Sequence, residues 1–196
     1  MKSFKFLKGT PVLTVMSLLF HENGSVHTHS DPQTYFFEDD GVIPNNTLPL
    51  LIYQDAFRQH GEEGASWLEK YFESNNWRNS WRSGVYPFQH YHSNVHEVLG
   101  CYQGTALLHM GGDRGEKIAV KAGDILIIPA GVGHKCLEHS ADFRVVGAYP
   151  NGDNPDLMRG EADERPAADE RIAGVHIPHK DPLTGEESGL KTLWTI

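Results

Sequence analysis

The stretch that decides the fold reads GVYPFQHYHSNVHEVLGCYQG over residues 84–104. His90 and His92 stand two apart within residues 85–92, which we predict to form a strand. Side chains two apart in a strand point to the same face, so both imidazoles can reach one metal ion. Glu97 follows after a short connection and offers a carboxylate to the same ion. Histidine is the commonest metal ligand, and this stretch therefore predicts a metal site on a strand.

A second stretch reads GDILIIPAGVGH over residues 123–134. It places His134 just past a turn that contains Pro129 and Gly131, two residues that favour turns. A barrel can bring this turn beside the first stretch, so we expect His134 to join His90 and His92.

The pattern of short apolar or alternating runs predicts a β-rich fold. We predict strands over residues 48–53, 85–92, 97–103, 105–110, 117–121, 125–128, 133–138 and 142–149, with glycines at many of their ends. Residues 55–74 are predicted to form a helix whose buried stripe is Gly64, Trp67, Leu68, Tyr71 and Phe72. Many short strands with no helix between them indicate an antiparallel sandwich or barrel.

The two stretches resemble the two sequence motifs of the cupin superfamily. The first has every anchor of its motif, namely Gly84, His90, His92, Glu97 and Gly104. The second matches Gly123, Pro129, Gly131 and His134, and departs at its last position, where Glu138 replaces an asparagine. Further residues, in the stretches 34–41, 43–46, 81–82, 90–93 and 96–98, resemble the YjlB-like group of cupins.

This resemblance implies an all-β cupin fold, a double-stranded β-helix or jelly-roll barrel, with one N-terminal helix and irregular arms. It also implies His90, His92, Glu97 and His134 as ligands of one divalent metal. Three imidazoles and one carboxylate suit Fe, Mn, Ni, Cu or Zn, among which we favour Fe. An octahedral ion would keep two open positions, whereas a tetrahedral ion would be closed and structural. The sequence leaves this geometry open, and no organic cofactor is predicted.

Several polar residues in or near the motifs lie outside the predicted ligand set. His96 has the opposite strand parity to Glu97, so we expect it to support the site or lie at the surface, with replacement of a ligand as the alternative. Cys101 and Cys136 are expected to line the barrel interior as small buried residues, with a redox or ligand role as the alternative. Glu138, which shares parity with His134 in a regular strand, and His109 are the candidate catalytic residues.

We interpret the chain as a metal-binding cupin, with an enzyme favoured over a binding protein. The first hypothesis is an Fe(II)-type oxygenase that uses the three-histidine, one-glutamate site on a small molecule. An isomerase or lyase acting on a sugar or a hydroxy acid would use the same site. The remaining alternative is a non-enzymatic protein that binds a metal or a small molecule, because a fold does not settle function.

Composition excludes some partners. The formal net charge of −9 argues against nucleic acid, which requires a basic face. No apolar run is long enough for a membrane span, and two cysteines cannot build a disulfide scaffold. We predict a small-molecule ligand and a homodimer.

The chain is expected to divide into an extension over 1–31 and one cupin domain over 32–196, with a barrel core at 84–149 and a wrapping tail at 150–196. The basic, then apolar, start of the extension makes an export leader the alternative to a cytoplasmic location.

Overall fold

The computed structural model describes residues 31–195 of the chain. Nine strands lie in two antiparallel sheets. The strands are β1 (Gln33–Phe37), β2 (Asn46–Tyr53), β3 (Trp77–Ser83), β4 (Glu97–Gln103), β5 (Thr105–Met110), β6 (Glu116–Lys121), β7 (Ile125–Ile128), β8 (His134–His139) and β9 (Arg144–Pro150). The helices are α1 (Gly61–Ser74), α2 (Ala167–Ala173) and α3 (Leu190–Leu193).

The six-stranded sheet has the order β1-β2-β7-β4-β9-β3, and the three-stranded sheet has the order β6-β5-β8. The all-β prediction is confirmed, and the two sheets form the kind of barrel that the cupin resemblance implies. Strands β1, β2 and β3 belong to the larger sheet although they precede residue 84. The division of the chain into extension, barrel core and tail stays a prediction, and residues 1–30 of the extension lie outside the described residues.

Strand β7 shows why strands of the larger sheet have apolar sequences. All four of its residues are buried, because the sheet is covered on both faces. Leu126 and Ile128 join the core between the sheets, whereas Ile125 and Ile127 pack with the helix-facing core. Strand β4 alternates in the same way, with Leu99 in the inner core.

Helix α1 packs on the outer face of the larger sheet through the predicted stripe. Leu68 and Phe72 are fully buried there, and Trp67 and Tyr71 are partly buried beside them. The helix is shorter than predicted, because residues 55–60 form a turn and an irregular segment before it. A Cβ on Gly100 of β4 would lie 2.7 Å from Leu68, so glycine permits this close approach.

The prediction of a strand over 85–92 is wrong. Within this segment only isolated bridges form, from His90 to His134 and from Tyr91 to Met158. Pro87 lies in the middle of the segment and has no N–H to give to a ladder. The segment therefore runs as an irregular chain along the edge of the three-stranded sheet.

The tail after Pro150 packs against the barrel. Leu183, Leu190 and Trp194 are buried in the helix-facing core. Among residues 31–195, no helix is both long and apolar enough to cross a membrane.

Candidate metal centre

Backbone hydrogen bonds bring His90 of the first motif beside His134 of the second. The N–H of His90 donates to the carbonyl of His134 at 3.2 Å, and the N–H of His134 donates to the carbonyl of His90 at 2.8 Å. The centroids of their rings are 4.0 Å apart. The N–H of Gly131 also donates to the carbonyl of His92, at 2.8 Å. These backbone hydrogen bonds hold the turn of the second motif against the first motif.

Three buried imidazoles converge at this point. His90, His92 and His134 each offer a ring nitrogen, and these atoms lie within 4.8 Å of one another. Such a group could bind a metal ion, as the motif spacing predicts. The irregular segment 85–92 places His90 and His92 as a strand would, although the ladder expected there does not form.

A backbone carbonyl meets the Nδ1 atom of each of these rings. The distances are 3.2 Å from His90 to the carbonyl of Phe88 and 3.1 Å from His134 to the carbonyl of Val132, and His92 contacts the carbonyl of Asp156. Because a carbonyl can only accept, each Nδ1 carries the proton. Each Nε2 therefore keeps a free lone pair, which is the arrangement typical of metal-ligating histidines.

Glu97, at the start of β4, lies at one side of the three imidazoles. Its Oε1 is 3.6 Å from Nε2 of His92, and its Oε2 is 3.3 Å from Nε2 of His134. Two atoms each about 2.1 Å from a shared ion lie about 3.0 Å apart at a right angle and about 3.4 Å apart at the tetrahedral angle. The 3.3 Å distance agrees with a shared ion, the 3.6 Å distance is slightly longer, and the donor set suits a divalent metal. That all four residues are ligands stays a prediction.

The electrostatics of the site are those of a buried anion among imidazoles. Burial opposes ionisation of Glu97, but His92 and His134 outweigh it and hold its pKa well below the usual range. Burial also opposes protonation of His92, yet Glu97 raises the pKa of that ring. Burial, with His134 as a neighbour, lowers the pKa of His90 to about 3. The carboxylate thus needs a cationic partner in this position, which a metal ion would supply.

Tyr149 and Trp81 support Glu97 from the neighbouring strands. The Tyr149 hydroxyl donates to Oε1 of Glu97 at 3.0 Å and accepts from the Trp81 indole N–H at 2.8 Å. Strand β9 makes room for Trp81 at Gly147, where a Cβ would lie 2.2 Å from the indole ring. Tyr149 is not among the residues predicted from the sequence, although it faces inward in phase with Val145 of the same strand.

The tail closes over His92 through Asp156. Besides the carbonyl that meets His92, the Asp156 carboxylate accepts from the N–H of Ser93 at 2.6 Å and from its hydroxyl. Arg171 of α2 donates to the Ser93 hydroxyl at 2.6 Å and lies 3.5 Å from the Asp156 carboxylate. The sequence does not predict this contact, because no motif links residues so far apart.

A cavity of about 340 Å³ opens beside the four predicted ligands. Tyr149 and Asp156 line it together with apolar side chains, among them Trp81, Leu99 and Leu157. Tyr86 also lines it and is half exposed, with its ring stacked on Phe88. A small molecule can therefore reach the centre.

His96 points away from this cavity, as its parity predicts. Its Nδ1 accepts from the N–H of Ala130 at 3.0 Å, and its ring lies 4.7 Å from that of Trp194. Burial lowers its pKa to about 4. His96 thus joins the strand of Glu97 to the turn of the second motif.

The two cysteines lie in the inner core, as expected. Both are buried there with free thiols. Burial raises the pKa of Cys101 to about 12 and raises that of Cys136 as well. Buried thiols with raised pKa values are small apolar side chains rather than reactive groups.

The two candidate catalytic residues lie away from the centre. His109 is buried in β5, opposite Lys117 and Lys135 of the flanking strands. Glu138 is exposed, because a register shift in β8 pairs it with Leu107 while Cys136 pairs with Leu108. Such a bulge turns the residues beyond it to the other face, so the expected parity of Glu138 with His134 is lost.

The chain is similar to a Bacillus subtilis protein described as "Uncharacterized protein YjlB". The two are 44% identical over 165 residues, which cover 84% of this chain and 97% of the relative. The chain belongs to the YjlB-like cupins. Its two motifs and its two-sheet barrel agree with this membership. No protein-family model matches the chain.

Solved structures resemble this YjlB-like cupin more distantly. A TDP-quinovose 3,4-ketoisomerase from Campylobacter jejuni is 20% identical, with 43% of this chain and 71% of that one covered and a TM-score of 0.36. A predicted oxalate decarboxylase from Thermotoga maritima is 15% identical, with 61% and 91% covered and a TM-score of 0.31. At these TM-scores neither likeness bears on function.

Proposed function

We propose that this YjlB-like cupin is a metal-dependent enzyme that acts on a small molecule. The observation that carries the proposal is the convergence of His90, His92 and His134 with every Nδ1 held by a backbone carbonyl. Three fixed nitrogen donors beside the Glu97 carboxylate would hold one divalent transition metal. The adjoining cavity of about 340 Å³ would admit a substrate to the same point.

The form we favour is an Fe(II)-type oxygenase. The ion, when bound, would supply a Lewis acid to the reactants. The histidines and Glu97 would hold the ion. The Tyr149 hydroxyl orients the Glu97 carboxylate through its hydrogen bond. The apolar wall that includes Leu99 and Leu157 excludes water from the reacting molecule.

An isomerase or lyase is the second candidate, and Tyr149 favours it. Its hydroxyl lies at the cavity and donates to Glu97, and a bound substrate that took over this hydrogen bond would face a proton donor. Burial and the charge of Glu97 raise the pKa of this tyrosine, so it keeps its proton. Such an enzyme would act on a hydroxy acid or a sugar with no oxidant.

Metal analysis followed by turnover measurements tests the proposal. We expect about one divalent metal per chain after the protein is supplied with Fe, Mn, Ni, Cu and Zn. Loss of substrate with matching O₂ consumption supports the oxygenase, and loss without O₂ consumption supports the isomerase or lyase. A protein that takes up none of these metals contradicts the proposal, and one that binds metal without any turnover is a binding protein instead.

We also propose a cytoplasmic homodimer, with light scattering and cell fractionation as tests. Phe36, highly exposed on the edge strand β1, supports a contact with a second copy. A monomer in solution, or recovery of the protein outside the cell, would contradict this proposal.

A further inference from the structure

We propose that the cavity beside the metal centre accepts a small monoanion with an apolar body. The anionic head would meet the metal, and the body would lie against the apolar wall. This inference rests on the proposed function and adds the charge and polarity of its substrate.

The cavity carries little charge of its own. Among the described residues that line it, Glu97 and Asp156 are charged, and no lysine or arginine takes part. Arg171 offsets the charge of the Asp156 carboxylate from outside the cavity, and the N–H of Ser93 donates to it. A divalent ion would therefore be balanced by Glu97 alone, and one net positive charge would remain in a buried site. A buried charge is costly unless paired, so a ligand with one negative charge complements it.

The cavity offers no partner for a second negative charge. Arg159 is on the same chain segment as the wall residue Leu157, but its guanidinium lies over the Phe88 ring, 4.2 Å from the centroid. Dicarboxylates and phosphate esters would thus place a charge against Val85, Pro155 or Leu157. No lysine or arginine among the described lining residues would pair with that charge.

Hydroxyl groups on a ligand would find few partners in the cavity. Away from the four predicted ligands, the polar side chains that line it are Trp81, Ser83, Tyr86, Tyr149 and Asp156. The Trp81 indole N–H donates to Tyr149, whose hydroxyl donates to Glu97, and Asp156 accepts from Ser93. A sugar carries more hydroxyls than Ser83 and Tyr86 could pair, and leaving the others unpaired in the cavity is unfavourable. The volume of about 340 Å³ equals that of roughly eleven waters at ~30 Å³ each, which suits one small ring or short chain.

Three probes that share a benzene ring test this inference: benzoate, benzyl alcohol and terephthalate. The full chain is loaded with Co(II), its metal content is measured, and each probe is titrated by calorimetry and by the visible absorption of the cobalt. We expect benzoate to bind at least tenfold more tightly than either of the others and to shift the cobalt bands. Equal or tighter binding of terephthalate or benzyl alcohol would overturn the inference while leaving the metal site intact.

A matched pair of variants adds the missing cation. Leu157→Lys places a positive charge at the wall, and we expect it to raise the affinity for terephthalate at least tenfold. Leu137→Lys adds the same charge at a similarly exposed leucine of β8, outside the cavity lining, and should change nothing. Equal affinities in the two variants would count against the inference. If the unaltered chain holds neither cobalt nor any of Fe, Mn, Ni, Cu and Zn, the proposed function fails, and this inference fails with it.

Discussion

Each imidazole of the centre is oriented by a main-chain carbonyl rather than by a side chain. For His92 that carbonyl belongs to Asp156, which lies far along the chain. Because the three ring nitrogens converge on one point, each would be a ligand of the same ion. Loss of one ring should therefore release the ion. We expect His92→Ala to lower metal affinity more than about 100-fold, beyond the 10–100-fold typical of a lost supporting contact. Elemental analysis checks this, with His139→Ala as the control that removes an exposed histidine.

Tyr149 should affect the same centre indirectly. Tyr149→Phe removes the hydroxyl that donates to Glu97 and leaves the ring in place. We expect metal affinity to fall about 10–100-fold, measured by competition with a chelator. Tyr35→Phe removes a hydroxyl bonded to Gln33 instead and should bind metal normally. Equal affinity in both variants would show that Tyr149 does not support the centre.

At the scale of residues, the sequence predicts the converging histidines because their spacing is a property of the chain. Asp156 could not be predicted, since it serves His92 through a carbonyl that any residue possesses. Tyr149 is a different case. Its inward phase can be seen in the alternation of β9, but the pairing that sets Gly147 opposite Leu99 cannot.

At the scale of elements, strands β4, β5 and β7 have the predicted bounds. Gly104 separates β4 from β5, Gly111 follows β5, and Gly123 and Pro129 flank β7. The segment 85–92 alternates equally well, yet its side chains line a cavity instead of a sheet. Periodicity reports which side chains share a face, and it does not report whether the backbone finds a partner. Likewise, the bulge that turns Glu138 outward leaves no signal in the sequence.

Helix α1 should contribute much of its stability through its buried stripe. Phe72 is fully buried against the larger sheet, whereas Phe36 on β1 is 71% exposed. We expect Phe72→Ala to lower the free energy of unfolding by about 3–5 kcal/mol. The matched change Phe36→Ala, measured at a protein concentration at which the chain is monomeric, should cost less than about 0.5 kcal/mol. Urea unfolding checks both, and similar losses would contradict this packing.

At the scale of the whole molecule, acid should destabilise the metal-free protein. The pKa values of His90 and His96 are lowered to about 3 and about 4, so between there and about 6.5 the unfolded chain binds more protons. Stability present above pH 6.5 is then lost as the pH falls, by up to about 1.4 kcal/mol per pH unit for each histidine. The pKa of Glu97 is lowered, so its contribution to the free energy of unfolding is lost as the pH falls below about 4.5. The pKa of His92 is raised, so its contribution is lost as the pH rises above about 6.5.

Urea unfolding in excess chelator at about pH 6.5 and about pH 5 measures this slope above the range in which Glu97 contributes. His139→Ala should keep the slope, because the histidine that it removes is exposed. Equal unfolding free energies at the two pH values would contradict the prediction.

The carbonyl acceptors of the three histidines have a consequence for how this protein tolerates change. Substitutions at Phe88, Val132 or Asp156 alter a side chain but keep the main-chain oxygen that sets each tautomer. The wall at Leu157 can vary independently of that scaffold. A lineage could therefore explore new reactants while keeping the three histidines in place, which makes the wall the natural target for directed evolution.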